Sequence, residues 1–556
     1  MEPLALVAAA AAAQAERVGI EPPGALAGIP PAPIDSDPSL ATCDTPDAIG
    51  QLWEQLLTDG TKRAQGSHFT PPAIADRVAE IVFANVTNPE EARILDPTVG
   101  GGAFLLAAAR WLDTHTTLSR GQIVDRLYGA DIDAGAASVA DAALELWAGG
   151  EARPHVGVID SLLSTGPLWP ELFDVVIGNP PFLSQLASVT SRDDSRSAEL
   201  ARRYGHAMGY ADEAAIFLRR AIDLVGDRGV VGLVVPQSVL GAVAASPIRE
   251  SIASRGHLTD LWIDGSQVFG AAVDVAATVI QRGDPGDTTR VHVGMEPTAR
   301  IEATPTSASW APLLAVSRQV PTVAVESAGT LGDRASVTAG FRQHFYGIAD
   351  AVVEDTGQSL PRLLTAGAID PLEITWGTKP IKFAGNRYNK PVLRVDAIAD
   401  NAVRAWFTAR LVPKVLVATQ TRVVEVVADA DGRHVPSVPV LVVEPRDPSS
   451  SEVWRITALL TTPLVSALLA SKNAGTGLSA DAIRIRAADL ALVPLPLDSE
   501  LWNQGAALAE QAQNESSPVR RRETLVALAT VMSRAFGDES SALSWWQSRM
   551  RFPQDR

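Results

Sequence analysis

The sequence predicts an α/β fold: a doubly wound sheet followed by a β-rich α+β domain. Three observations carry this. Over roughly 200 residues, apolar strand-like runs alternate with helical ones, the pattern of a mostly parallel sheet with helices on both faces. Four of the strands end in Asp96-Pro97, Asp131, Asp160 and Asn179-Pro180-Pro181, polar groups at the sheet edge where ligands bind in such folds. Beyond the turn-rich stretch Arg282-Gly283-Asp284-Pro285-Gly286-Asp287, the strand-like runs shorten and are divided by Gly, Asn and Pro.

The 556 residues have room for two or three domains, each with a sizeable core. One cysteine, Cys43, excludes a disulfide framework and a thiolate metal cluster and suits a reducing, cytoplasmic setting. The apolar run over 4–13 has Glu2 before it and no basic residue, so it reads as a frayed helix rather than a signal peptide. No later run reaches membrane-spanning length without charge. The net charge of −17 argues against a polyanionic partner, but its distribution argues the other way. Between Trp376 and Arg422 there are nine basic residues and two acidic ones, a local charge of +7. That stretch is either a solvated face or a nucleic-acid surface.

Taken in order, residues 1–50 are Ala- and Pro-rich and read as a short helix with a poorly ordered linker. A helix is expected over 49–57. Gly66-Ser67-His68-Phe69-Thr70-Pro71-Pro72 leads into a helix over 74–83, with Thr70 as the cap and Pro at the first helical position. Next, Arg93-Ile94-Leu95-Asp96-Pro97-Thr98-Val99-Gly100-Gly101-Gly102-Ala103-Phe104 reads as strand, glycine turn and helix. Such glycines let a backbone approach a nucleotide-like ligand closely. A pyrophosphate excludes a carboxylate there, whereas an ammonium group favours one. Asp96 therefore points to a ligand that carries both an adenosine and an amino acid. The second strand ends at Asp131-Ile132, where an acid accepts from ribose hydroxyls. A third, over 156–160, ends at Asp160, placed to accept from an adenine amino group.

The fourth strand, over 173–177, stops at Gly178-Asn179-Pro180-Pro181-Phe182. The two prolines end the ladder in a rigid turn. The Asn179 side chain and the Pro180 carbonyl make two acceptors, with the Phe182 ring beside them. That is a device for holding a planar amine, although a simple Pro-terminated strand has the same sequence. After a polar loop over 188–209 come a helix over 213–225 and strands over 229–235 and 275–281. The second domain shows β-like runs over 337–346, 414–417, 423–427 and 440–443. Helices follow over 453–470 and 501–513, then a helical tail.

In this order the motifs resemble the N6-adenine DNA methyltransferases, specifically the TaqI-like group in which the catalytic domain precedes target recognition. The resemblance is strong over 65–285 and only general over 320–510. Motif X resembles 66–72, motif I 96–104, and the acids of motifs II and III Asp131 and Asp160. Motif IV resembles 179–182, motifs V and VI Asp212 and Pro236, and the motif VIII aromatic Val268-Phe269. Departures are Thr98-Val99 where small residues are usual, the triple glycine, Asp131 where Glu is frequent, and Phe182 where Tyr is an alternative.

The resemblance implies a Rossmann-like methyltransferase domain over 51–295 and a target recognition domain over 315–510. An N-terminal extension (1–50) and a helical tail (511–556) flank them. It implies adenine-specific methylation of duplex DNA from S-adenosylmethionine, with the base flipped out, in a restriction-modification or related defence setting. Asn179, Pro180, Pro181 and Phe182 would be catalytic. Thr70, Asp96, Pro97, Gly100, Gly102, Phe104, Asp131, Ile132, Asp160 and Asn179 would hold the cofactor. Phe182 and Phe269 would sandwich the base, and Lys379, Lys382, Arg387, Lys390, Arg394, Lys414 and Arg422 would bind DNA. No metal and no membrane is implied, and other restriction or defence subunits are expected as partners. The competing readings are a protein-glutamine methyltransferase, a modification subunit that depends on a separate specificity chain, and a silent DNA-binding scaffold. No nuclease is expected in the 65 residues before motif X.

Overall fold

The computed structural model describes residues 3–33, 37–57, 70–167, 169–182, 194–205, 212–264, 274–283, 286, 288–295, 300–303, 309–323, 325–340, 342–477, 482–537 and 541–550. Residues 66–69, Val268 and Phe269 lie outside this set, as do 188–193 and 206–209; the middle of the expected polar loop over 188–209 is instead a helix, Asp194–Tyr204. The chain divides into two compact units, Met1–Ser317 and Arg318–Arg556.

In the first unit the strands are β1 (Ile94–Asp96), β2 (Leu127–Asp131), β3 (His155–Val158), β4 (Phe173–Gly178), β5 (Val225–Pro236), β6 (Gly256–Ile263), β7 (Val275–Arg282), β8 (Thr289–Val293) and β9 (Arg300–Ala303). They form one sheet in the order β3-β2-β1-β4-β5-β7-β6-β8-β9. β7 runs antiparallel to both β5 and β6, β9 runs antiparallel to β8, and the other pairs are parallel. From β1 the chain winds outward through β2 and β3, then returns to β4 on the other side. The crevice at the C-terminal ends of β1 and β4 is therefore the topological switch point. This is a Rossmann-like sheet, as the alternation predicts. β1 is buried along its whole length, and Val175–Gly178 of β4 is buried as well, as central parallel strands must be. The turn-rich stretch at 282–287 is a connection within the sheet rather than its end, because β8 and β9 extend the sheet beyond it.

The helices that bear on the site are α1 (Pro3–Val18), α2 (Pro46–Leu56), α3 (Pro72–Phe83), α4 (Ala103–His115), α5 (Ala134–Trp147), α6 (Asp194–Tyr204) and α7 (Glu213–Leu224). The N-terminal reading needs correction. α1 is not frayed: Leu6, Val7, Ala8 to Ala11 and Ala15 are buried in one core with Leu52 and Trp53 of α2 and Val139, Ala142 and Leu146 of α5. An alanine face lets helices approach closely, and Gln14 Nε2 donates to the Cys43 and Thr45 carbonyls at 3.1 and 2.8 Å, tying the following segment back. Composition suggested low order because alanine carries little hydrophobic contrast, and only packing reveals its use. α2 begins at Pro46 with Thr45 accepting from the Ala48 N–H, a Pro-at-N1 start.

The second unit has two four-stranded sheets. One pairs Ala335–Ala339, Leu441–Pro445, Lys414–Val417 and Val426–Asp429 in that order, all antiparallel. The other orders Val352–Glu354, Pro391–Leu393, Arg362–Leu364 and His434–Pro436. The expected run over 337–346 splits, its second half being the short helix Arg342–Tyr346. Ser450–Thr461 and Pro463–Lys472 are separate helices because Pro463 cannot continue the first. The described residues after 510 are mostly helical but no loose tail. Pro518–Ala535 buries Leu525, Leu528 and Met532, and Met532 Sδ lies 2.4 Å from where a Cβ on Gly505 would stand, so the pair packs through glycine. Among the described residues no single helix is long and apolar enough to cross a membrane. Nor does any cluster of three His, Cys, Asp or Glu among them suit a metal ion.

Candidate active site

The strand ends of the first unit converge on a cavity of about 130 Å³. Thr70, Asp96, Pro97, Gly100, Phe104, Asp131, Ile132, Asp160, Asn179 and Pro181 all line it. Gly102, Pro180 and Phe182 are not part of its lining; Gly102 is the N-cap of α4, and Phe182 packs half-buried against the sheet core. Phe269 lies outside the described residues.

Asp96 is 1% exposed, and its Oδ1 accepts from the Thr98 N–H at 3.0 Å. Burial pushes its carboxyl up to about 8, opposed by the Thr98 N–H and reinforced by the neighbouring Asp131. Space for this side chain comes from the last residue of β4. A Cβ on Gly178 would stand 2.5 Å from Asp96 Oδ1, so any larger residue at the end of this strand would require the Asp96 carboxyl to shift. Asp131 accepts from the Gly100 and Asp133 N–H groups at 3.0 and 2.9 Å, and burial raises its carboxyl too. The glycine loop thus hangs on the acid that ends the next strand. Beside Asp131, Ile132 is 62% exposed, an apolar side chain on the cavity wall.

Thr70 does not cap α3, whose N-cap position is Pro71. Instead its hydroxyl accepts from Asn179 Nδ2 at 3.0 Å. The amide nitrogen is engaged by Thr70, which leaves acceptor duty to the amide oxygen. Asp160 lies two residues past β3 rather than within a strand. Its Oδ1 accepts from the Leu162 N–H at 3.1 Å and its Oδ2 from Arg196 Nε at 2.8 Å. Arg196 also donates to Glu213 Oε1 at 2.8 Å. Burial works against the charge on Arg196, but the two carboxylates outweigh it and raise its pKa.

Several lining residues were not anticipated: Asp47, Gln51, Trp53 and Glu54 of α2, Arg196 of α6, and Glu213 and Phe217 of α7. A signal for α2 was present. Gly50 lies against Gly101 so closely that a Cβ on Gly50 would meet the Gly101 carbonyl at 2.5 Å, and Gly135 leaves room for the Trp53 ring. Arg196 left no signal, being one of several arginines in a polar loop. The lining as described carries seven acidic side chains (Asp47, Glu54, Asp96, Asp131, Asp133, Asp160, Glu213) and one basic one, Arg196. Such a cavity favours a cation.

In the second unit, Lys379, Lys382, Arg387, Lys390 and Arg394 are exposed and Arg422 is half-buried. Lys414 is a correction. It is fully buried, faces Asp429 across two strands, and ion-pairs with it. A lysine at 0% exposure has no reach to a partner outside the chain.

Residues 44–292 match the family model described as N-6 DNA Methylase. The chain is 28% identical over 260 residues to the type II methyltransferase M.PaeR7I of Pseudomonas aeruginosa, which covers 43% of this chain and 44% of that one. It is 23% identical over 242 residues to M.VspI of Vibrio sp. (strain 343), covering 44% and 54% respectively. It thus spans about half the length of these relatives. The type IIL restriction-modification enzyme MmeI, solved in complex with DNA, shares the fold at a TM-score of 0.62 and 13% identity, over 92% of this chain and 83% of that one.

Proposed function

We propose that this chain, whose residues 44–292 match the family model described as N-6 DNA Methylase, is a site-specific DNA methyltransferase acting on the N6 amine of a flipped-out adenine in duplex DNA. It works within a restriction-modification or related defence system, alongside restriction subunits where these exist. The observation that carries the reading is the pairing of Asn179 at the end of β4 with an acid-lined cavity at the switch point. The donor set suits S-adenosylmethionine: a buried carboxyl for an ammonium, an acid fixed for ribose hydroxyls, and an apolar wall at Ile132 for a flat ring. When bound, that cofactor supplies an electrophilic methyl group on a sulfonium.

The chain's own residues do the rest. Asp96 takes the ammonium, Asp131 the ribose hydroxyls and Asp160 the adenine amino group. An exocyclic adenine amine is a poor nucleophile because its lone pair is delocalised into the ring. The Asn179 amide oxygen and the Pro180 carbonyl accept its two hydrogens, favour a tetrahedral nitrogen and aim the lone pair out of the ring plane. Thr70 positions Asn179 for this by holding its amide nitrogen. Acceptors fixed before the reaction act as preorganised dipoles, and holding the reactants in line supplies much of the remaining rate. The amine is buried in a duplex, so the base must leave the stack, and the Phe182 ring is the surface proposed to receive it.

The region after 317, with its small sheets and exposed cations, is proposed as the target recognition domain. The test is methyl transfer from labelled S-adenosylmethionine to duplex DNA by the isolated chain, with the product base identified as N6-methyladenine. Absence of transfer, or methylation at another base, overturns the reading.

A further inference from the structure

Within the second unit, Ile381–Phe383 and Asn386–Tyr388 form a two-stranded hairpin with Ile381 opposite Tyr388, Lys382 opposite Arg387 and Phe383 opposite Asn386. Ala384 and Gly385 close it with φ of +46° and +85°, the left-handed pair that a two-residue turn requires. Its two faces are chemically unlike. Ile381 and Phe383 are buried, Phe383 lies against the Phe345 ring at 4.7 Å, and the Tyr388 hydroxyl donates to the Val352 carbonyl at 3.3 Å. The other face presents Lys382 and Arg387, directly opposite one another and exposed. Like charges in that relation destabilise a strand pair. Lys379, Lys390 and Arg394 flank them, exposed as well.

Among the described residues none of these five cations has an ion pair. Glu354, at the foot of the hairpin, accepts from the Asn389 and Lys390 backbone N–H groups at 2.9 and 2.7 Å. The fold therefore holds a ribbon rigidly by one face and leaves uncompensated positive charge on the other. That arrangement has a matching ligand. A two-stranded ribbon fits the major groove of B-form DNA, and Arg and Lys read the O6 and N7 edge of guanine there. Flanking cations suit the phosphates, which fix register without reading sequence.

We infer that the 381–388 hairpin is the base-reading element of this chain: it enters the major groove, Arg387 and Lys382 contact guanine edges, and Lys379, Lys390 and Arg394 contact phosphates. The inference rests on the DNA methyltransferase reading and extends it to the element that sets the target sequence.

The test uses the full chain and its Arg387→Ala, Lys382→Ala/Arg387→Ala and Lys390→Ala variants, each expressed in a host without adenine methylation. Sequencing of methylated adenines gives the wild-type target. Arg387→Ala is expected to relax that target at one guanine position, while Lys390→Ala keeps every letter and lowers the log–log salt slope of duplex binding by about one. Melting temperatures should be unchanged, since the side chains removed are exposed. A target identical in all letters for the Arg387 variants, with an unchanged salt slope, overturns the inference and leaves the methyltransferase reading intact. Binding that loses strength but not sequence preference also overturns base reading, and marks the hairpin as a general polyanion surface. If the wild type binds duplex DNA without methylating it, the catalytic reading fails, and the hairpin is decided by the sequence preference of duplex binding in the same variants: a preference unchanged in the Arg387 variants overturns it, and one relaxed at a guanine supports it. A wild type that binds no duplex DNA sinks both.

Discussion

The two units handle charge in opposite ways. In the first, acidic side chains are drawn inward around a cavity, and among the described residues the one cation in its lining is clasped between two carboxylates. In the second, exposed cations stand on a hairpin with no ion pair among the described residues, while Lys414 is buried against Asp429. A chain of net charge −17 thereby holds one field suited to a cation and another suited to a polyanion. Net charge alone would have hidden both. Whether a charge does structural or ligand work depends on its burial and its partners, not on its place in a basic or acidic run.

The sharpest test of the first half of this contrast is Asn179→Ala. It should abolish methyl transfer while calorimetry shows S-adenosylmethionine still binding, because the lost acceptor acts on the target amine and not on the cofactor. Normal turnover would remove chemistry from the β4 terminus. The second half is tested by Lys414→Ala, which takes the lysine from Asp429 and leaves that carboxylate to His434 and the Arg433 and His434 N–H groups; it should cost about 3 kcal/mol in denaturant unfolding, the low end for a broken buried pair. Where the variant stays folded, its DNA-binding salt slope should match the wild type. A changed slope would return Lys414 to the DNA surface and erase the distinction between buried and exposed cations.

A smaller effect is expected from Gly178→Ala. Its new methyl would collide with Asp96 Oδ1, so overpacking should cost about 1–3 kcal/mol and weaken cofactor binding as the carboxyl shifts. Unaltered affinity and stability would mean that Asp96 has space to retreat.

Protons give a subtler measure. Asp96 is raised to about 8 in the fold, against the ordinary carboxyl value of 3.8 in the unfolded chain. Between those two pH values the folded state holds a proton that the unfolded state has lost, so stability falls as pH rises through that window. Asp96→Asn should flatten the fall. An ammonium placed beside Asp96 favours its ionised form, so cofactor uptake at pH 7 should release roughly one proton per molecule, measured by calorimetry in buffers of different ionisation enthalpy. Zero release would detach Asp96 from the ammonium.

Much of the first unit was legible because Asp96 and Asp131 terminate apolar strands and Asn179 follows one, a pattern local to a few residues. Asp96, Asp131 and Asn179 needed only strand ends and turn residues to be found. What escaped was non-local. Arg196 reaches Asp160 from 36 residues away along the chain, and although helices were expected near α1 and α2, their packing, and the place of α2 in the cavity wall, rest on close approaches at alanine and glycine. Lys414 looked like its basic neighbours because the residue that claims it, Asp429, lies on the next strand, a pairing fixed by register. Thr70 preceded a proline and had the look of a cap, but α3 starts one residue later and frees the hydroxyl for Asn179.

The acid lining also bears on how the cavity empties. If S-adenosylmethionine is the donor, as proposed, the product left after transfer would carry one positive charge less, while the surrounding carboxylates stay. The acid lining would then attract the spent molecule less than the fresh one, in a setting where burial amplifies each charge. A wall of fixed charge would in that way favour exchange of used for unused donor with no part of the fold having to be pushed.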